Sequence, residues 1–331
     1  GTAWESDCGC VNEDNSGDDC DDCAAVPNGD ATEDNCSICD NDPSNDCVQD
    51  CSGEWGGNAE LDECGTCDSD PINDCSQYSI PLHQYNNLVS FYVLPEDEAV
   101  SSVMLDIQAN ITSVAGEATS AQYNGDYWTG SLINLDISSG YWLRLADTDT
   151  LDGNGHPLNP GRVYSLHSSA NLVSFPSPGS VGISAGLPDD IEDNVLAVIG
   201  ANPPSSTVNT GSGWDGSLMY FEGLKGYWII TDNDISFSYE LDSLEKLSRS
   251  INPYKTAEKP QGFDFIQSSQ QAFYFVDKVE LLEGEIEEGD WIISYCGNTV
   301  TGSRLWLGIT VDIPVMGTEG TLVTAGYCDA N

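Results

Sequence analysis

The chain has 331 residues, with 9 Lys and Arg against 55 Asp and Glu, a net charge of -46, and 13 Cys. So dense a polyanion repels phosphate backbones and anionic lipid surfaces, which excludes nucleic-acid binding. The longest apolar run, residues 195–201, is far shorter than the roughly 18 residues a membrane span needs, so no spanning segment is expected.

Residues 1–77 hold 22 of the acids and 11 of the cysteines, and the first Lys or Arg is Arg144. Cysteine at this density marks a disulfide scaffold, and disulfides persist outside the reducing cytosol. The expected location is therefore extracellular, secreted or at the cell surface. The sequence opens at Gly1 with neither Met nor a charged-apolar leader, so any signal peptide is expected to have been removed or to lie upstream.

Self-comparison organises this region. Residues 22–49 align without a gap onto residues 50–77, a period of 28 with the unit Cys-x12-Cys-x2-Cys-x7-Cys. Cys8, Cys10 and Cys20 form an incomplete first copy, whose opening cysteine is expected before Gly1. Each unit has almost no Leu, Ile, Val or Phe, so burial at about 25 cal/mol per Å² cannot offset the entropy of ordering it. Disulfides and calcium are the candidate substitutes. Asp40, Asp42, Asn45 and Asp46, and again Asp68, Asp70, Asn73 and Asp74, crowd hard oxygens around Pro43 and Pro71. The first copy offers Asp14 and Asp18, with Glu13 and Asp19, in looser spacing.

Two other readings stand beside calcium. The acids form a merely solvated, repulsive surface, or Cys20, Cys23, Cys36 and Cys39 bind zinc at ribbon-like spacing. Against zinc, Cys20 and Cys23 fall in different repeat units, and an extracellular chain oxidises its thiols. The runs DNDPSNDC and DSDPINDC and the box DECGTC resemble thrombospondin type 3 repeats and related acidic Cys repeats of secreted bacterial surface proteins. That resemblance implies an elongated, calcium-loaded rod with little regular structure. The strict Asp-x-Asp-x-Asp-Gly string of the family is absent here.

A second repeat covers residues 78–160 and 161–245. YSIPLHQYNNLVSF recurs as YSLHSSANLVSF, DYWTGSL as SGWDGSL and SGYWLRL as KGYWIIT, at an offset of 84 to 86 residues. Short runs of Val, Ile, Tyr, Trp and Phe between Gly, Pro, Asn and Ser read as strands, with one short helix expected in each of residues 100–111 and 191–199. The pattern is similar to NLVSF-to-GYW modules of large secreted bacterial proteins.

His83 and His167 each precede an Asn by four residues, so each is expected to serve the fold of its own copy. The aromatics Tyr141, Trp142, Tyr227 and Trp228, with Trp128 and Trp214, suit either core packing or stacking on sugar rings. Between the copies, Asp147, Asp149, Asp152 and Asn154 read as a calcium loop or an ordinary polar linker.

Residues 246–331 begin with a mixed-charge connector and continue with alternating strands of a β-sandwich, in which Cys296 and Cys328 are the remaining cysteine pair. QQAFYF, GDWI and DIPVMG resemble the opening of a module from secreted bacterial repeat proteins. That resemblance implies further strands, from chain beyond Asn331 or from a neighbour.

The expected fold is mainly β and multi-domain: an irregular N-terminal rod held by disulfides and calcium, then small sandwich-like β domains. No nucleophile elbow, zincin, dinucleotide or phosphate-loop motif occurs, so no enzyme is expected. The expected function is structural, a self-associating subunit of a cell-surface filament or stalk. The alternative is an adhesive or carbohydrate-binding region of a larger secreted protein. Asn35-Cys36-Ser37 and Asn110-Ile111-Thr112 are glycan acceptor patterns.

Overall fold

The computed structural model describes residues 2–62, 65–70, 74–242 and 259–329. The chain is mainly β, 42% strand and 4% helix, and divides into two compact units, Gly1–Asp74 and Cys75–Asn331.

The first unit is built from small hairpins: β1 (Ala3–Ser6) with β2 (Gly9–Asn12), β3 (Thr32–Glu33) with β4 (Cys39–Asp40), and β5 (Glu60–Leu61) with β6 (Cys67–Asp68). Its apolar side chains stay exposed, Val26, Ile38, Val48, Trp55 and Leu61 among them. Covalent staples replace the missing core. Cys23 bonds Cys39 and, 28 residues on, Cys51 bonds Cys67, so the first cysteine of a unit pairs with the third. Cys36 bonds Cys47, second with fourth, and the partial copy repeats this as Cys8 with Cys20. Cys10, at the third position of the first copy, is exposed and free. Backbone conformation repeats as well. Ala25, Asn28 and Ser37 have φ of 59, 52 and 62°, and their counterparts Gly53, Gly56 and Gly65 have 88, 66 and 82°. Glycine takes that left-handed region without strain.

The second unit opens with the first aromatic copy: β7 (Ser76–Leu82), β8 (Tyr85–Ser90), β9 (Val93–Leu94), α1 (Val100–Val103), β10 (Ile111–Ala115), β11 (Ser120–Tyr123), β12 (Trp128–Gly130), β13 (Gly140–Leu145) and β14 (Asp149–Pro157). A five-stranded sheet in the order β12-β11-β10-β13-β8 and a three-stranded one, β7-β14-β9, enclose Phe91, Met104, Ile107, Val114, Leu143 and Leu151.

The second copy follows with β15 (Tyr164–Leu166), β16 (Ser169–Val173), β17 (Ser180–Gly182), α2 (Ile183–Gly186), α3 (Asp189–Glu192), β18 (Val195–Gly200), β19 (Ser205–Asn209), β20 (Trp214–Gly216), β21 (Tyr220–Glu222), β22 (Tyr227–Thr231) and β23 (Ile235–Phe237). Its sheet β16-β22-β18-β19-β20 reproduces the strand order of the first copy, and the pairs β15-β23 and β17-β21 lie outside that sheet. The helix expected over residues 191–199 is corrected. The helix ends at Glu192, and the apolar run from Val195 is the central strand β18, paired with β22 and β19. A short run apolar on every side fits a doubly flanked strand as well as a helix, and five or six residues decide for the strand. The helix in residues 100–111 is one turn, ends at Val103 and carries no side-chain cap at Ala99.

The two copies pack on each other through matched contacts. The N–H of Ser90 donates to the Leu224 carbonyl at 3.1 Å, and that of Ser174, its counterpart, to the Ser138 carbonyl at 3.0 Å. Leu88, Ala115 and Trp142 of one copy and Leu172, Ala201 and Trp228 of the other form a single apolar cluster. Each residue meets the repeat-equivalent of its partner, the pattern of a two-fold, self-complementary interface within one chain.

The last segment carries β24 (Gln271–Val276), β25 (Trp291–Cys296), β26 (Thr299–Leu305) and β27 (Val311–Met316), paired β24 with β27 and β25 with β26. Trp306, Val311 and Ile313 are its buried cluster, and Cys296 is bonded to Cys328. Most of the mixed-charge connector lies outside the described residues.

Candidate carboxylate sites and latches

In the first unit the carboxylates are turn-builders. Asp22 Oδ1 accepts the N–H groups of Ala24 and Val26, both at 2.9 Å, and Oδ2 accepts that of Ala31 at 3.1 Å. One period later Asp50 takes Ser52, Glu54 and Ala59 in the same way. Asp34 accepts from Cys36, Ile38 and Cys47, and Asp62 from Thr66. A Cβ at Gly29 or Gly57 would overlap the Asp22 or Asp50 carboxylate, so glycine is needed at that step of the loop. The bonds favour the ionised form. The Val26 N–H holds the Asp22 carboxyl below the usual range, the Ile38 N–H does so for Asp34, and the Ser52 hydroxyl leads for Asp50. These four residues were not singled out by the sequence reading, although their 28-residue period marks them.

The residues read as calcium ligands are distributed differently. Asp40 Oδ1 accepts the Asp42 N–H at 2.8 Å and Oδ2 the Asn45 side-chain amide at 2.7 Å, while Asp42 Oδ1 accepts the Ser44 N–H at 3.0 Å. Asp68 receives the Asp70 N–H at 2.9 Å. Asp46 and Asp74 are exposed, and Pro71 and Asn73 lie outside the described residues. Asp14 and Asp18 are exposed too. The Asp21 carboxyl is raised by desolvation and then by the charges of Asp18, Asp7 and Asp22. The Cys8 and Cys20 sulfurs within reach of Asp21 belong to a disulfide and offer no thiolate to a metal. Cys20, Cys23, Cys36 and Cys39, the zinc alternative, are likewise all oxidised.

Asp149, Asp152 and Asn154 lie on the nine-residue strand β14 and not in a loop, with Asp147 just before it. Asp149 accepts the Asn110 side-chain amide at 2.8 Å, which engages the nitrogen of one glycan acceptor pattern, whereas Asn35 of the other is exposed.

His83 and His167 hold equivalent places. Each backbone N–H donates to the Oδ1 of the Asn four residues on, Asn87 or Asn171, at 2.9 Å. Each Asn amide returns a bond to the histidine carbonyl, at 2.7 and 2.8 Å. The imidazoles reach across the copy interface, His83 Nε2 to Asn202 Oδ1 at 3.0 Å and His167 Nε2 to Glu117 Oε1 at 2.6 Å. Tyr141, Trp142 and Tyr227 are buried in the packing of the copies, whereas Trp128, Trp214 and Trp228 are half-buried.

Two carboxylates fasten the last segment to the copies. Asp312, fully buried, accepts the N–H and hydroxyl of Ser206 and of Ser217, at 2.8 to 2.9 Å, and pairs with Arg304 at 3.1 Å. Glu319 accepts from Asn86, Ser269 and Arg144. Burial alone would push Glu319 up, but the Ser269 and Arg144 donors together hold it below the usual carboxylate range.

Compared with known proteins, the chain matches no family model, no curated protein and no solved structure.

Proposed function

We propose that the chain is an extracellular structural protein, a self-associating subunit of a cell-surface filament or stalk in which disulfides and calcium stiffen the acidic Cys repeats. The observation that carries this reading is the repetition at 28 residues of the same disulfide and the same aspartate-built loop, Cys23–Cys39 with Asp22 and then Cys51–Cys67 with Asp50. A unit whose internal bonds recur at a fixed period extends by addition of further units without redesign. The charge of -46 keeps single chains apart, and a divalent cation lowers that barrier. Crowding of Asp7, Asp18, Asp21 and Asp22 supports a cation where the first copy meets the second. Sedimentation velocity of the native protein tests the proposal. Concentration-dependent assembly with calcium that reverses with chelator is expected, and a monomer at high concentration with calcium contradicts it.

A further inference from the structure

The two aromatic copies build the same notch at the outer corner of their five-stranded sheets. The pairs β11-β12 and β19-β20 set Ala121 opposite Gly130 and Thr207 opposite Gly216. These glycines have φ of 137 and 146°, and a Cβ on either would lie 2.1 or 2.2 Å from the carbonyl oxygen of Ser120 or Ser206, so the two strands close tightly there. The Leu132 N–H donates to the Ser120 carbonyl at 3.0 Å, and the Leu218 N–H to the Ser206 carbonyl at 3.1 Å. Between glycine and leucine each copy has a serine, Ser131 or Ser217. One backbone frame therefore carries the same two serines in both copies, at an offset of 86 residues.

In the second copy this frame holds a carboxylate. Asp312 Oδ2 accepts the Ser206 N–H at 2.8 Å and the hydroxyls of Ser206 and Ser217 at 2.9 and 2.8 Å, while Oδ1 accepts the Ser217 N–H at 2.9 Å. Both serines are buried under the last segment. In the first copy Ser120 and Ser131 are exposed, and their one polar contact is the bond of the Ser120 N–H to Ser131 Oγ at 3.3 Å. No carboxylate of the described residues reaches either of them. The last segment holds the first copy elsewhere, through Glu319 on Asn86 and Arg144.

We infer that Ser120 and Ser131 are a docking notch for a carboxylate side chain of a second copy of this chain, gripped as Ser206 and Ser217 grip Asp312. The inference rests on the self-association proposed above and names a contact for it. Neutral N–H and O–H donors bind a charged acceptor most strongly, so the notch selects a carboxylate. The twin notch is filled by a carboxylate of this same chain, and with 55 Asp and Glu against 9 Lys and Arg a second copy brings many that have no basic partner. The notch and the side chain that fills it are different surfaces, so the contact is head-to-tail and propagates along a filament. Calcium lowers the repulsion between the two polyanions, and the notch sets their register.

Hydrogen exchange of the full-length, oxidised chain with calcium, below and above the concentration of assembly, tests it. The Ser120 and Ser131 amides are expected to exchange quickly in the monomer and slowly in the assembly, with Ser206 and Ser217 slow in both. Ser120→Ala with Ser131→Ala removes two of the four donors at an exposed corner. It is expected to keep the circular dichroism of the monomer and to weaken association at least about tenfold in sedimentation velocity. Ser165→Ala with Ser236→Ala, at an exposed serine pair of the second copy, is expected to leave association unchanged. Assemblies in which Ser120 and Ser131 exchange as in the monomer, or a Ser120/Ser131 variant that associates like the wild type, would overturn the notch while the structural reading stands. A chain that stays monomeric with calcium at high concentration would overturn both.

Discussion

The two units reach order by opposite routes. Residues 2–62 bury almost nothing apolar and rely on crosslinks plus aspartates that collect backbone N–H groups, whereas the aromatic copies rely on enclosed cores around Phe91 and Phe175. A crosslink stabilises chiefly by restricting the unfolded chain, and a core by removing apolar surface from water. The first therefore depends on redox state and on ionised carboxylates, and the second on packing.

The sharpest way to break the comparison is reduction. Each disulfide contributes about 2 to 4 kcal/mol, so reductant is expected to unfold the first unit while the aromatic copies keep theirs, as checked by hydrogen exchange across both units. Removal of a latch acts on the other side. Asp312→Ala removes the buried carboxylate that Ser206, Ser217 and the Arg304 guanidinium share and is expected to cost about 3 to 5 kcal/mol in chemical denaturation, with the Cys repeats unaffected. Trp142→Ala opens the shared cluster between the copies and is expected to cost about 3 to 5 kcal/mol, with the loss seen in both copies, because Leu172 and Ala201 lie in the same cluster.

Acid sharpens the contrast further. The depressed carboxyls of Asp22, Asp34 and Asp50 contribute stability that is present above their unfolded value, about 3.9, and lost as pH falls through the lower folded values. Amide exchange at Ala24, Ile38 and Glu54 should accelerate below that pH, and Asp50→Ala should produce the same local loosening at neutral pH. The smallest effect concerns His167, whose raised value follows from the Ser168 carbonyl and then Glu117. Its contribution is complete below about 6.5 and fades as pH rises through the folded value. Glu117→Gln should shallow that slope in a pH series of thermal unfolding, the Ser168 carbonyl keeping the remainder.

Much of this architecture is legible in the sequence because duplication is. The period of 28 and the offset of 84 to 86 place the repeating elements, and the matched histidine–asparagine clamps follow from the second. Pairing of the cysteines is not legible, since four cysteines permit three connectivities and spacing ranks none of them. The strand at Asp149–Pro157 is hidden for a different reason. Its inward positions are Leu151 and Gly155, and the glycine is there because a Cβ would overlap the Leu94 backbone, so the apolar alternation disappears. Asp106, Asp312 and Glu319 belong to contacts across 46 to 233 residues of chain, which no local pattern announces.

Electron microscopy of the native protein, imaged with calcium and again after chelation, tests the structural proposal most directly. Regular fibres that soften or fray when calcium is withdrawn are the predicted result. Discrete particles, unchanged by the chelator, would contradict it.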